Sequence, residues 1–206
     1  MTPIGTLQAA EDRRTMTPMV ISGTHTLDIV MWLMAGKKPV EVYARSVEKS
    51  FVSYGTKDAT MGVFTFDDGT IWNMTINWAL PGLWPATVYS LEIGIVGTDG
   101  VLTIDDTHRD LVLATDKPHT TQRPNEEKNV SFLTSYPPGD IALGQLWGPM
   151  REETNSWDAR VGSGMKTHHA TAADGHRNLM LTMAMDLSAE RGELVSLPID
   201  PSEFKR

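Results

Sequence analysis

The chain has 206 residues, 18 Lys+Arg against 26 Asp+Glu, a net charge of -8 and no cysteine. An acidic surface is a poor match for nucleic-acid phosphates, and a chain without thiols forms no disulfide, Fe–S cluster, thiolate zinc site or Cys nucleophile. The apolar run from Ile29 to Ala35 is too short to span a bilayer, and the opening MTPIGTLQAAEDRR lacks an apolar signal core, so the cytoplasm is the expected compartment. No nucleic-acid or membrane partner is expected.

The first readable element is a helix over THTLDIVMWLMAG, residues 24–36. Ser22 or Thr24 would cap it, Asp28 would lie near its positive end, and Gly36 would stop it. Apolar residues cover nearly its whole circumference, which predicts burial on most sides. Val40, Val42 and Ala44 then alternate with Glu41, Tyr43 and Arg45 as a half-buried strand. MGVFTF and TIWNMTINW flank Asp67-Asp68-Gly69, and YSLEIGIV and VLTID flank Gly97-Thr98-Asp99-Gly100; both read as hairpins. LVLAT (111–115) and VSFL (130–133) are further strands, with a polar surface loop over 116–129 and a turn at Tyr136-Pro137-Pro138-Gly139.

A helix over Pro149–Val161 puts Met150, Thr154, Trp157 and Val161 on one stripe, ended by Gly162. A second starts near Thr171 with Asp174 completing a capping box, carries Leu179, Met180, Met183, Ala184 and Leu187, and ends at Gly192. ELVSLP is a closing strand. The order predicts one α+β domain over 1–206, with residues 1–20 leading in: a mostly antiparallel open sheet with helices packed on one face.

Several side chains are candidates for chemistry. His25 follows the small residues Ser22-Gly23-Thr24 on a buried helix; a histidine there is suited to acid–base work or is simply structural. Its place at a positive helix end favours the neutral ring. Asp28 would orient His25 or interact with the helix start. His168, His169 and His176, with Asp174 among them, read as metal ligands, as substrate contacts, or as two loop histidines and one partly buried helical one on the apolar stripe. Arg13 and Arg14 suit a carboxylate or phosphate, or a solvated terminal segment. Trp72, Trp78, Trp84 and Trp147 suit ring stacking or packing; Trp72 and Trp78 share one strand face. Gly162-Ser163-Gly164-Met165-Lys166-Thr167 is a weak phosphate-loop match, without the first glycine or a preceding strand.

Taken in order, Ser22-Gly23-Thr24-His25-Thr26-Leu27-Asp28, Trp32-Leu33, PVEVYARS, FTFDDGTIWNMTINWALP, LEIGIVGTDGVLTID and AMDLSAERGELVSLP resemble the C-terminal substrate domain of the Gfo/Idh/MocA oxidoreductases, over roughly residues 4 to 200. The resemblance implies NAD(P)-dependent oxidation or reduction of a sugar-like or cyclic hydroxyl or carbonyl. It implies His25 as the residue acting at the substrate oxygen, and assembly into homodimers or larger homo-oligomers through the open sheet face. Arg14, Asp28, Trp84, His168 and His169 are the candidate substrate contacts; no metal site is expected. NAD(P) is expected only with a Rossmann domain, such as a partner subunit, since no dinucleotide fingerprint occurs in these 206 residues. Four residues before His25, where many members carry Asp, stands Ile21, and the family's E-K-P lysine belongs to the Rossmann part. The leading expectation is a substrate-binding and oligomerisation domain. A cofactor-independent lyase, isomerase or cyclase using His25, and a non-catalytic dimeric binding or scaffold protein, are the alternatives.

Overall fold

Thr17 and Pro18 open the first helical segment. In the computed structural model, which describes residues 16–79, 91–105, 111–120, 127–133 and 140–204, the Thr17 hydroxyl accepts the Val20 N–H at 3.1 Å. Pro18 already has helical angles, φ -52° and ψ -38°, as suits a proline at a first helical position. A π-helical turn, Met19–Gly23, then runs directly into helix α1, Thr24–Leu33. Neither Ser22 nor Thr24 caps the helix, contrary to the sequence reading. The Ser22 hydroxyl instead accepts the indole N–H of Trp78 at 2.8 Å. Burial is also narrower than the composition predicts: Leu27, Val30 and Met31 are buried, while Trp32 is 66 % exposed.

Four strands form one antiparallel sheet in the order β10-β1-β2-β3: β1 Pro39–Val47, β2 Ala59–Phe66, β3 Ile71–Asn77 and β10 Val195–Ser196. The β2–β3 turn is the one expected, with Thr65 opposite Ile71 and Gly69 at φ 83°. Strand alternation sorts the two faces. Val42, Ala44, Thr60, Phe64, Phe66 and Met74 point into the core; Tyr43, Val47, Met61, Val63 and Ile71 lie exposed on the opposite face.

Helix α2 spans Pro149–Ser163 and α3 spans Ala172–Arg191. α3 covers the core face, packing on β1, β2 and β10, and α1 packs on α3 in turn. Its ends are as the sequence predicts: a Thr171–Asp174 capping box and Gly192 in the left-handed conformation. Gly62 allows the close approach, since a Cβ there would lie 2.9 Å from both Ala44 Cβ and Met185 Cε. The buried stripe of α3 differs from the predicted one. Ala184 and Leu187 are buried as expected, but the stripe also takes in Asn178, Leu181, Thr182, Met185 and Ser188, and Leu179 is exposed.

Within the single domain read from the sequence, the described residues form two compact units. The sheet, α1 and α3 make up the first. The second contains three hairpins, each paired only within itself among the described residues. These are β4 Glu92–Val96 with β5 Val101–Asp105, β6 Leu111–Thr120 with β7 Glu127–Leu133, and β8 Asp140–Ala142 with β9 Gln145–Trp147. The stretch read as a surface loop, 116–129, is strand at both its described ends. The β8–β9 hairpin is absent from the sequence reading; its two-residue turn puts Leu143 at φ 53° and Gly144 at φ 73°. α2 runs past Gly162 and ends at Gly164, φ 69°. None of its residues is buried, so the Met150–Trp157–Val161 stripe does not face a core.

The fold is therefore α+β, built on antiparallel strands, with one face of the four-stranded sheet covered by helix.

Candidate functional site

His25 projects from the first turn of α1 and is exposed. Among the described residues nothing hydrogen-bonds to its ring. The preceding π-helical turn changes its electrostatic setting. The helical segment begins at Pro18, so the helix start, where the Thr17 hydroxyl caps the Val20 N–H, lies about two turns before His25. The positive helix end invoked from the sequence is thus not at His25.

Asp28, one turn further along α1, is half-buried. It does not hold the His25 ring. Its Oδ1 accepts a hydrogen bond from Asn178 Nδ2 at 2.6 Å, which ties α1 to α3. Asn178 is missing from the sequence-derived set. Its signal was available: with the apolar stripe of α3 drawn through Leu181, Met185 and Ser188, Asn178 is the polar residue at its start. Drawn through Leu179 and Met183, the stripe passes it by.

The other candidates fall elsewhere. His168 is exposed, and His169 is half-buried in the second unit, where its Nε2 lies 3.0 Å from Ser156 Oγ and its ring meets the edge of Trp157 at 5.2 Å. His176 is exposed on α3 rather than on the buried stripe. Among the described residues no group of three His, Asp or Glu side chains is placed to hold a metal ion. Arg13, Arg14 and Trp84 lie outside the described residues. Trp78 is buried beside Phe51, and Trp72 stacks on Phe64 at 5.4 Å, so both serve packing. Trp147 donates to the Ala142 carbonyl at 3.1 Å and carries the Arg151 guanidinium 4.3 Å over its ring. Ile21, standing where many relatives of the resembled family carry Asp, packs against the Phe51–Trp78 cluster.

The two glycine-containing stretches weighed as nucleotide motifs are built as other local structures. Gly97 and Gly100 close a hairpin through a 2.9 Å backbone hydrogen bond. Residues 162–167 sit at the C-terminal end of α2, where carbonyls rather than N–H groups point outward.

A second polar cluster in the same unit as His25 anchors the beginning of the helical segment. The Asp186 carboxylate on α3 accepts the Thr17 hydroxyl, with Lys57 Nζ 3.8 Å from its other oxygen. The neighbouring Thr56 hydroxyl donates to the Met16 carbonyl at 2.6 Å. Burial raises the Asp186 carboxyl above the ordinary carboxylate range, with Glu190 adding to it, against the opposing pull of Thr17 and Lys57.

No helix among the described residues is long and apolar enough to cross a membrane. A comparison with curated protein sequences finds no match. Solved structures with the same fold include myo-inositol 2-dehydrogenase from Lactobacillus plantarum, at 19 % identity and TM-score 0.62 over 94 % of this chain and 51 % of that one. The scyllo-inositol dehydrogenase of Lactobacillus casei, solved with NAD(H) and scyllo-inositol, gives 15 % identity and TM-score 0.61 over 94 % and 51 %. GenD2 from gentamicin A biosynthesis, solved with NAD, gives 18 % and 0.65 over 88 % and 48 %. The chain thus spans about half the length of the solved structures it resembles. Identities this low show the fold alone. The sequence adds a partial match: residues 9–103 are similar to the GFO/IDH/MocA C-terminal domain.

Proposed function

We propose that this chain is the substrate-binding and assembly part of an oxidoreductase acting on a hydroxyl or carbonyl of a sugar-like or cyclic polyol, with His25 as the group that takes or gives the proton at the substrate oxygen. The observation that carries this reading is the state of the histidine. His25 stands exposed on α1 with no described partner at its ring, while the residue one turn away, Asp28, is held by Asn178. A ring with no hydrogen-bond partner among the described residues, on a helix anchored through Asp28, is suited to meet a substrate hydroxyl. The substrate class is supported by the structures of like fold, whose names include two inositol dehydrogenases. Cofactor chemistry belongs, in this reading, to a dinucleotide-binding domain. The residues described here contribute substrate contacts and a proton.

The test is a thermal-shift panel of inositols and hexoses on the full chain, at concentrations up to about 100 times the dissociation constant, where a specific ligand stabilises by about 2.7 kcal/mol. At least one cyclic polyol is expected to raise the melting temperature, and His25→Ala is expected to abolish that rise without changing the unliganded melting temperature. A rise of equal size in His25→Ala contradicts the assignment of His25.

Assembly follows from the open sheet face. Tyr43 and Val63 pair across β1 and β2, with Val47, Met61 and Ile71 on the same face, all exposed. A sheet face that exposes these apolar side chains among Arg45, Thr65 and Asn73 fits a second copy of the chain. Light scattering is expected to give a dimer or larger species for the wild type and a monomer for Val63→Glu. An unchanged mass in the variant rules this face out.

A further inference from the structure

Asn178 is 3 % exposed. Its amide nitrogen is used, donating to Asp28 Oδ1 at 2.6 Å, but its Oδ1 is buried without a hydrogen-bond partner. Such a half-satisfied amide is a poor stabiliser: a leucine in its place would remove the stranded amide oxygen, at the cost of taking the donor from the half-buried Asp28 carboxylate. What an amide adds is direction. The buried residues of α1 are otherwise Leu27, Val30 and Met31. Neighbouring positions on the buried stripe of α3 are Leu181, Ala184 and Met185, with Thr182, whose hydroxyl donates to the Leu179 carbonyl of its own helix at 2.8 Å. Apolar surfaces of this kind tolerate small rotations and slides, whereas one polar pair within them admits a single register.

We propose that Asn178 is a positioning residue: its hydrogen bond to Asp28 sets the rotation and axial register of α1 on α3, and so fixes where His25, one turn before Asp28, is presented. The same bond spans 150 positions of sequence, joining the helix that carries the candidate acid–base group to the helix that covers the sheet. The catalytic meaning of this register rests on the reading of His25 given above; the register itself does not.

The experiment is Asn178→Leu in the full chain, followed by two-dimensional NMR. The His25 ring Cε1–H signal is identified by its loss in His25→Ala, and the backbone amides of α1 are followed at one fixed pH. The melting temperature is expected to change by no more than a few degrees, since the gain from removing the stranded amide oxygen opposes the loss of the donor to Asp28. The His25 ring signal is expected to shift or split, together with the amides of α1 out to Trp32. An unmoved His25 signal overturns the proposal, and so does a change confined to Asp28 and its immediate neighbours. If Asn178→Leu does not fold, Asn178→Ala, which removes the amide without adding bulk, is read by the same criteria. Should no polyol bind the wild type while the His25 signal still depends on Asn178, the functional reading falls and the positioning role stands.

Discussion

Helices α2 and α3 differ in what they bury. α3 buries seven of its twenty residues, and α2 buries none of its fifteen. Their local signals are of similar quality. α3 has a capping box and a left-handed Gly192; α2 has proline at its first turn and a left-handed Gly164. α3, however, lies on a four-stranded sheet whose inner face is lined by Val42, Phe64 and Phe66. In the second unit the described strands pair only as two-stranded hairpins, which are marginal by themselves. Caps and periodicity specify that a helix forms. The presence of an apolar sheet face decides whether it is buried, and with it where the stability of the chain resides.

Three substitutions sharpen that contrast. Met185→Ala, at a fully buried site against Gly62, is expected to cost about 2–5 kcal/mol in urea unfolding. A cost below about 1 kcal/mol would mean that α3 is not the element closing the core.

A smaller, pH-dependent effect is expected at Asp186. Burial raises its carboxyl above the ordinary value, so the folded chain favours the neutral acid. The stability this confers is complete below about pH 4 and is lost as the pH rises through the raised value. Asp186→Asn retains an acceptor for the Thr17 hydroxyl and removes the charge. The wild type is therefore expected to lose stability relative to Asp186→Asn between about pH 4 and neutrality, measured as the difference in urea midpoints. A difference that is flat, or that runs the other way, contradicts the electrostatic account of this cluster.

The smallest effect belongs to α2. Trp157→Ala, at a half-exposed position, is expected to change global stability by less than about 0.5 kcal/mol. A loss comparable to that of Met185→Ala would erase the distinction between the two helices.

What was legible in the sequence was what local chemistry enforces. The turn at Asp67-Asp68-Gly69, the Thr171–Asp174 box and the Gly192 stop are where the residues place them. Errors arose where a long-range partner decided the outcome. Ser22 looked like a cap but serves Trp78, 56 residues away. The cap is Thr17 before Pro18, a local pattern that lies upstream of the apolar run that marks the helix in the sequence. The β8–β9 turn was hidden by Leu143, a residue disfavoured at positive φ. Within the candidate site, His25 and Asp28 were visible as a helical pair. Asn178 was not, because a buried polar residue looks like a surface one until the face of its helix is fixed.

The central claim is that this chain recognises a polyol through His25 and leaves the dinucleotide to another domain. Calorimetric titration tests it most directly, with the best polyol from the thermal-shift panel and, separately, NADH added to the full chain. Saturable polyol binding that disappears in His25→Ala, with no NADH binding in the micromolar range, is the predicted result. Micromolar NADH binding to this chain, or polyol binding indifferent to His25→Ala, would contradict it.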